Sequence, residues 1–341
     1  MPLSYLAERS SVFDTYWRFA AERLNVYYRR LASCSSPWTD DPILQAHRFT
    51  NVYRVTDRVS QYLVREVQYR NDRSQATDEV FFRTLLFKLF NKIETWEALE
   101  DEVGPIGWQS ADFERLDRVL HGLIGGGQRI YSAAYIMPSP AFGGERKHSN
   151  HLRLLARMMD DGLPARIAAA TSLRSVYEQL LTYPGIGKFL AFQFAIDLNY
   201  SSIIDFAETE LVVAGPGALD GISKCFPGAS PADAERLIMT VTEQQVAEFE
   251  QRGIVFPGLY GRALQPIDCQ NLFCEISKYS RVAHPEIRGI ANRMRIKQVY
   301  RHTRKPIEPP FFPPKWKIGA APTVVLADFT AVNHNDQLRL L

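Results

Sequence analysis

Apolar residues recur at helical spacing along most of this chain, and no segment alternates apolar and polar residues over the length of a strand. This pattern predicts helices over 11–34, 42–68, 77–98, 111–122, 149–161, 163–170, 171–182, 188–199, 217–226 and 230–251. Long breaks at 122–144 and 203–217 predict functional loops. We expect an all-α fold with a body of two helical lobes over 1–310, followed by a Pro-rich segment and C-terminal tail over 311–341.

One turn between two predicted helices has the order of a helix-hairpin-helix motif, which we assign to 172–199. The turn reads Thr182-Tyr-Pro-Gly-Ile-Gly-Lys188, and its glycines allow a ligand to approach the backbone closely. The first turn of the following helix presents peptide N–H groups and a positive dipole to an anion. An ordinary tight turn is the alternative. The order predicts a clamp for the DNA backbone, formed by Gly185, Ile186, Gly187 and Lys188.

The formal net charge of +2 is nearly neutral, so attraction to nucleic acid must come from local patches. One such patch is a late segment in which cations gather and Glu286 is the opposing acid; its members are Arg281, Arg288, Arg293, Arg295, Lys297, Arg301, Arg304 and Lys305. Tyr279 and Tyr300 could pack beneath it or stack on bases. A solvated charged face is the alternative. Phosphate contacts of this kind would give affinity but no sequence preference.

Several function classes are not expected. No apolar run approaches the roughly 20 residues that span a bilayer, so we predict a cytoplasmic protein without a membrane partner. The four cysteines, Cys34, Cys225, Cys269 and Cys274, lack the spacing of a zinc or iron–sulfur site. We therefore predict no metal and no cofactor. Nothing in the sequence indicates an obligate protein partner.

Five segments in order resemble the alpha-glutamyl/putrescinyl thymine pyrophosphorylase family; they are Arg48–Leu63, Ile130–Pro138, the hairpin, Val212–Ala218 and Asp268–Tyr279. The resemblance covers roughly residues 40 to 305. It implies the fold of helix-hairpin-helix DNA glycosylases and activity on modified bases in duplex DNA. Some members hypermodify thymine in phage DNA, some are helical partners of hydroxymethyluracil DNA kinases, and some resemble antiviral glycosylases that excise glucosylated hydroxymethylcytosine.

The residues themselves distinguish among these activities. A P-loop kinase needs Gly-x-x-x-x-Gly-Lys-Ser/Thr, and the glycines of Gly215-Pro-Gly-Ala-Leu-Asp-Gly-Ile-Ser-Lys224 lack that spacing. We therefore expect no phosphorylating activity. We predict a glycosylase for antiviral defence that flips a hypermodified pyrimidine, cleaves its N-glycosidic bond and leaves an abasic site. Phe189 occupies the position of the amine in strand-nicking hairpin glycosylases, so the predicted enzyme is monofunctional.

Glycosidic cleavage needs a carboxylate that stabilises an oxocarbenium-like state. The hairpin glycosylases carry it a short distance after the hairpin, where this chain has Asp205, Glu208 and Glu210. Glu210 precedes a predicted helix, and Asp205 ends an apolar run. We favour these two equally and take Glu208 third. An N-cap or a solvated acid is the alternative for each.

A flipped base also needs a pocket with aromatic faces and polar edges. The candidates are Asn51, Tyr53, Arg54, Asp57, Arg58, Gln61, Tyr131, Tyr135, Gln270, Asn271, Glu275 and Lys278. An internal ion pair is the alternative for four of these residues, which would share one face of a helix at three- and four-residue spacing: Arg54, Asp57, Arg58 and Gln61. Glu275 and Lys278 are also spaced to form an ion pair with each other.

Two other functions remain open. The first is a transferase that displaces pyrophosphate from an activated hydroxymethyluracil in DNA, with Arg54, Arg58 and Arg129 as diphosphate ligands. The second is a DNA-binding module without chemistry.

Overall fold

The computed structural model describes residues 8–33, 35–134, 136–302 and 306–318. Within those ranges the chain is helical, and its strand-like pairings are isolated bridges, His47 with Val299 and Leu259 with Arg262. The prediction of an all-α fold is confirmed. The helices are α1 (Ser11–Ala32), α2 (Pro42–Ala46), α3 (Arg58–Tyr62), α4 (Thr77–Phe90), α5 (Ile93–Val103), α6 (Phe113–Gly125), α7 (Lys147–Asp160), α8 (Leu163–Ala168), α9 (Leu173–Leu181), α10 (Lys188–Tyr200), α11 (Pro216–Cys225), α12 (Ala234–Glu243), α13 (Gln245–Gln251) and α14 (Pro266–Ala283).

These helices group into two compact units. The terminal unit contains the described residues up to Asp57 and those of Val212–Pro310, and the central unit contains those of Arg58–Leu211 and Phe311–Lys317. The first part of the predicted tail therefore belongs to the central unit. Residues 319–341 of that tail lie outside the described residues.

Several helices end where the hydrophobic pattern did not indicate a break. Asn91 adopts a left-handed conformation (φ 51°) that ends α4, so the segment predicted as one helix over 77–98 divides there. The segment over 42–68 contains α2, a loop, a 3₁₀ turn and α3, which continues as a π-helical stretch over Leu63–Gln68. Hydrophobic spacing persists across such breaks, because the flanking residues still face the same core.

The core of the central unit surrounds α4, which is buried from Glu79 through Phe90. Its charged side chains all have partners inside the unit. The Glu79 carboxylate accepts the peptide N–H groups of Trp108 at 2.7 Å and Gln109 at 3.0 Å. Lys88 forms a buried ion pair with Asp197 of α10, at 3.1 Å between Nζ and Oδ2. The polar groups of α4 thus fix the positions of the elements around it.

The core of the terminal unit is built on α14, against which α1, α11 and α12 pack. Two aromatic rings of α1 pack on this core: Phe13 lies 4.8 Å from Phe226, the C-cap residue of α11, and Tyr16 lies 4.7 Å from Phe273 of α14, between ring centroids. Gly221 of α11 brings that helix against the backbone of α14, because an added Cβ would overlap the carbonyl oxygen of Phe273. No helix in the described ranges combines the length and apolarity needed to cross a bilayer.

Candidate nucleic-acid interface

The hairpin in the central unit joins α9 to α10. Ser172 caps α9 through a reciprocal hydrogen-bonded box with Ser175. Gly185 adopts φ +80°, which only glycine takes at no steric cost, and an added Cβ there would lie 3.0 Å from Cβ of Pro140. The two helices and the glycine turn predicted for the hairpin are therefore present, and Pro140, in the loop between α6 and α7, lies close to that turn.

The exposed side of the turn has the features of an anion-binding site. Gly187 is the N-cap of α10 and has ordinary dihedral angles (φ −82°, ψ 171°). A Cβ at Gly187 would meet nothing within 4 Å. The fold does not require glycine here, whereas a ligand approaching the backbone would. Exposed Lys188 opens the helix, whose first-turn amides lack intrahelical acceptors.

The three carboxylates predicted for catalysis follow α10 and have different surroundings. Glu210 Oε2 accepts the peptide N–H of Leu173 at 2.9 Å, so this side chain binds the N-terminus of α9. Glu208 is buried in a 3₁₀ turn. Asp205 has a side chain that is 71% exposed and lies 3.8 Å from Nζ of Lys315. Their proposed catalytic role stays a prediction, but Glu210 already has a structural one.

Lys315 was not predicted from the sequence. Its ammonium donates to the carbonyl oxygens of Asn199, at 2.6 Å, and Ser201, at 2.8 Å, and also to that of Ile204. These carbonyls lie at and just beyond the C-terminal end of α10, where the helix dipole favours a cation. Burial lowers the pKa of Lys315 to about 8. Its only sequence signal is a lysine within a Pro-rich segment, which gives no indication of this contact.

The terminal unit contains a polar cluster that joins several predicted base-pocket residues; we call Arg23, Asn51, Asp57 and Glu275 the Asp57 cluster. Arg23 Nη2 donates to Asn51 Oδ1 at 2.6 Å, and the peptide N–H of Asn51 donates to Asp57 Oδ1 at 2.8 Å. Glu275 Oε2 accepts the N–H of Thr50 at 3.2 Å and pairs with Lys278. Burial raises the pKa of Asp57 to about 6, although Arg23 opposes the shift.

Asn51 and Asp57 have different contacts within the Asp57 cluster. The Asn51 amide is engaged at both ends, since it accepts from Arg23 and its Nδ2 donates to the carbonyl of Thr56 at 2.7 Å. Asn51 thus contacts both Arg23 and Asp57 and fixes their positions relative to each other. Asp57 is half-buried, and its Oδ1 accepts the peptide N–H of Asn51. Arg23 was missed because it lies within the amphipathic pattern of α1, where an arginine carries no distinct signal.

The other pocket candidates of the terminal unit have mainly structural contacts. Tyr53 Oη donates to the carbonyl of Arg262 at 2.6 Å. Arg54 is buried, and its peptide N–H donates to Asp268 Oδ1 at 2.8 Å. Gln270 is buried and donates to Sγ of Cys274. Asn271 is half-buried on α14.

The remaining candidates belong to the central unit. Arg58 pairs with Glu94 at 3.4 Å on the surface, and Gln61 exchanges two hydrogen bonds with the backbone of Phe311. Tyr131 Oη lies 2.7 Å from Nδ1 of His151. Tyr135 lies outside the described residues. The expected helix face carrying residues 54 to 61 does not form, because α3 begins only at Arg58.

The central unit also has an open cavity of about 420 Å³, with Arg65, Tyr69, Arg70 and Phe311 in its lining. None of the predicted pocket residues lines it. Within the described residues, no group of three or more His, Cys, Asp or Glu side chains is arranged to hold a metal ion.

Comparison with known proteins identifies the relatives of the chain. The family described as "5-hmdU DNA kinase, helical domain" matches residues 10–289. A protein of Bacillus phage SP10 named 5-hmdU DNA kinase is 26% identical over 290 residues, which is 79% of this chain and 45% of the relative. The chain thus spans less than half the length of that relative. No solved structure matches it significantly.

These findings correct the predicted reaction. The relative and the matching family are named for a kinase, which transfers a phosphoryl group, whereas a glycosylase hydrolyses an N-glycosidic bond. The prediction of a monofunctional DNA glycosylase, a hydrolase acting in antiviral base excision, is therefore wrong. A hairpin motif does not determine which reaction a protein catalyses. The missing P-loop does not exclude this family, because the family describes a helical domain.

Proposed function

The chain belongs to the family of 5-hmdU DNA kinase helical domains, and on that premise we propose that it is a DNA-binding component in the modification of 5-hydroxymethyluracil in DNA. Its task is to bind the duplex that carries the modified pyrimidine. The observation that carries the proposal is the hairpin, with an open N-cap glycine before the first turn of α10.

The chemistry of the hairpin supports DNA backbone binding in particular. A phosphate oxygen can accept from the first-turn amides of α10 only if nothing stands above them, and Gly187 leaves that space open. Lys188 adds a point charge that strengthens the contact in a salt-dependent way. Because these donors reach phosphates and not base edges, the hairpin supplies affinity without sequence preference.

Gly187→Leu tests this proposal, because its side chain would occupy the phosphate position. We expect at least a tenfold weaker affinity for a duplex containing 5-hydroxymethyluracil, since one charge-assisted contact of about 1.5–3 kcal/mol is lost. Fluorescence anisotropy measures the affinity. Stability should fall by no more than about 1 kcal/mol, the cost of a poorer N-cap.

Gly187→Ala is the matched control, because its added Cβ would meet nothing within 4 Å and it brings no oxygen that competes for the first-turn amides. It should lose much less affinity than Gly187→Leu. Equal binding by the wild type and Gly187→Leu would contradict the proposal. So would a wild-type protein that binds neither the modified duplex nor its thymine counterpart.

A second candidate function is catalysis by the chain itself, as a transferase at the hydroxymethyl group. In that reaction an amine nitrogen attacks the methylene carbon, the carbon–oxygen bond breaks, and pyrophosphate leaves with the electron pair. The attacking nitrogen must also release a proton. The Asp57 cluster favours this candidate, because a carboxylate with a pKa of about 6 can accept that proton near neutral pH.

Asp57→Asn separates catalysis from folding. The pKa of Asp57 in the folded chain is about 6, above its ordinary value of 3.8, so the folded state holds the proton more tightly than the unfolded state. The ionised carboxylate therefore costs stability above pH 6, and the cost disappears below about pH 4. Asp57→Asn should stabilise the protein by about 2 kcal/mol at pH 7.5 and leave it unchanged near pH 3.5.

Urea denaturation at the two pH values measures this difference. For the transferase candidate, Asp57→Asn should also lower the rate of amine transfer at least a hundredfold while DNA affinity stays unchanged. A variant that is destabilised at pH 7.5 would show that the carboxylate supports the fold. A variant that keeps the transfer rate would exclude Asp57 as the proton acceptor.

A further inference from the structure

A basic segment after α14 is fixed to the terminal unit by its backbone; we call residues 288–302 the basic strap. Asp220 Oδ1 accepts the N–H of Ala291 at 2.7 Å, and Ser223 Oγ accepts that of Ile290 at 3.2 Å. Further along, Arg281 Nη1 donates to the carbonyl of Arg295 at 3.0 Å. The peptide N–H groups of Arg48 and Tyr300 complete an antiparallel pairing between residues 46–48 and 298–300.

These anchors leave the cationic side chains outside. The exposed cations of the strap are Arg288, Arg293, Arg295, Lys297 and Arg301. Among the described residues, none of the five has an ion-pair partner, although Arg288 makes a long hydrogen bond to Asn292. Ile296 is half-buried, whereas its neighbours Arg295 and Lys297 are exposed.

The charged and apolar side chains of the strap are better suited to binding a polyanion than to facing water alone. Five positive charges lie within fourteen residues and repel one another. Because the backbone of the strap is held in place, these charges stay close together and the repulsion persists. A regularly charged DNA backbone removes it and releases counterions. Ile290 and Met294 are exposed by 60% and 61% between the arginines. Proteins that bind the minor groove use apolar side chains beside cations to contact DNA, and these two positions would allow such contacts.

We propose that the basic strap is a second DNA-backbone surface, carried by the terminal unit and separate from the hairpin of the central unit. This inference rests on the proposed DNA-binding function. It assigns the contacts of Arg293, Arg295 and Lys297 to phosphates of duplex DNA. The strap would therefore contribute affinity and salt dependence to any duplex, modified or not.

The test is a triple variant, Arg293→Gln, Arg295→Gln and Lys297→Gln, measured for duplex affinity at several salt concentrations. Loss of three phosphate contacts should reduce the slope of log affinity against log salt by about 2–3 and weaken binding at least tenfold at low salt. The fold should survive, because the anchors of the strap are backbone groups and side chains outside the triple. Circular dichroism during heating checks this.

The control removes the same net charge elsewhere. Arg118, Arg157 and Arg236 have side chains that are 67%, 63% and 56% exposed, and each lies on a helix away from the strap in sequence. Their triple glutamine variant should keep nearly the wild-type slope. Equal losses in both triples would overturn the inference, because net charge alone would then explain them.

The remaining outcomes separate the two proposals. If the strap triple binds like the wild type while Gly187→Leu does not, the strap inference is overturned and the proposed function stands. If the wild type binds no duplex, both are overturned. If only the strap triple loses affinity, the terminal unit binds the DNA and the hairpin assignment fails.

Discussion

Gly221→Ala should unfold the terminal unit at temperatures where the wild type is folded. The new Cβ would overlap the carbonyl oxygen of Phe273, which belongs to the backbone of α14 and cannot rotate away. Helices α11 and α14 would have to separate, and the packing of α1 and α12 on α14 would be disturbed with them. We expect a loss of at least about 3 kcal/mol. Hydrogen exchange with mass spectrometry would assign it to the terminal unit.

Two other glycines provide controls. At Gly217 the added Cβ would lie 2.9 Å from the Cys274 sulfur, a side-chain atom that can move, so Gly217→Ala should cost less. Gly122 lies within α6 and an added Cβ would meet nothing within 4 Å. Gly122→Ala should therefore stabilise α6 by about 0.5–1 kcal/mol. A similar loss at all three positions would contradict the proposed close approach.

The same helix contact matters for the basic strap. Asp220 precedes Gly221 on α11, accepts from the hydroxyl of Ser277 on α14, and accepts the N–H of Ala291 in the strap. A shift of α11 would therefore move the anchor of the strap. If the strap binds DNA, Gly217→Ala should shift α11 slightly and reduce the slope of log affinity against log salt under conditions in which the protein is still folded.

The sequence predicted local features well, because those features depend on adjacent residues. The order Pro-Gly-Ile-Gly-Lys specifies a turn and an N-cap through dihedral preferences alone, and that turn is present between α9 and α10. Helical periodicity predicted the all-α class for a similar reason. The boundary at Asn91 was missed, because a single left-handed residue leaves the hydrophobic period unchanged.

The surroundings of the candidate site depend on contacts distant in sequence, and these were harder to predict. Glu210 was singled out as a carboxylate near the hairpin, but its bond to the N-terminus of α9 requires knowing which helix end lies beside it. Arg23 joins Asn51 and Asp57 only through tertiary structure. A motif can thus indicate which side chains are polar and close in sequence, whereas their partners follow from packing.

Lys88→Met should destabilise the central unit by about 3–5 kcal/mol, because Asp197 would remain buried without this cation. The variant also tests how the hairpin is held. Asp197 lies on α10, whose first residue is Lys188, and Lys88 lies on α4, the buried helix against which α10 packs. Loosening α10 should therefore weaken DNA binding in a folded fraction of the variant as well.

A double-mutant cycle with Asp197→Asn distinguishes lost charge pairing from lost shape. Lys88→Met with Asp197→Asn removes both charges, so its stability should exceed that of Lys88→Met by about 1–3 kcal/mol. Chemical denaturation of the four proteins gives the coupling energy. If instead the destabilisation of the double variant equals the sum of the losses in unfolding free energy of the two single variants, Lys88 contributes through packing of its aliphatic stem on α4. The orientation of the hairpin then depends on that packing and not on the ion pair.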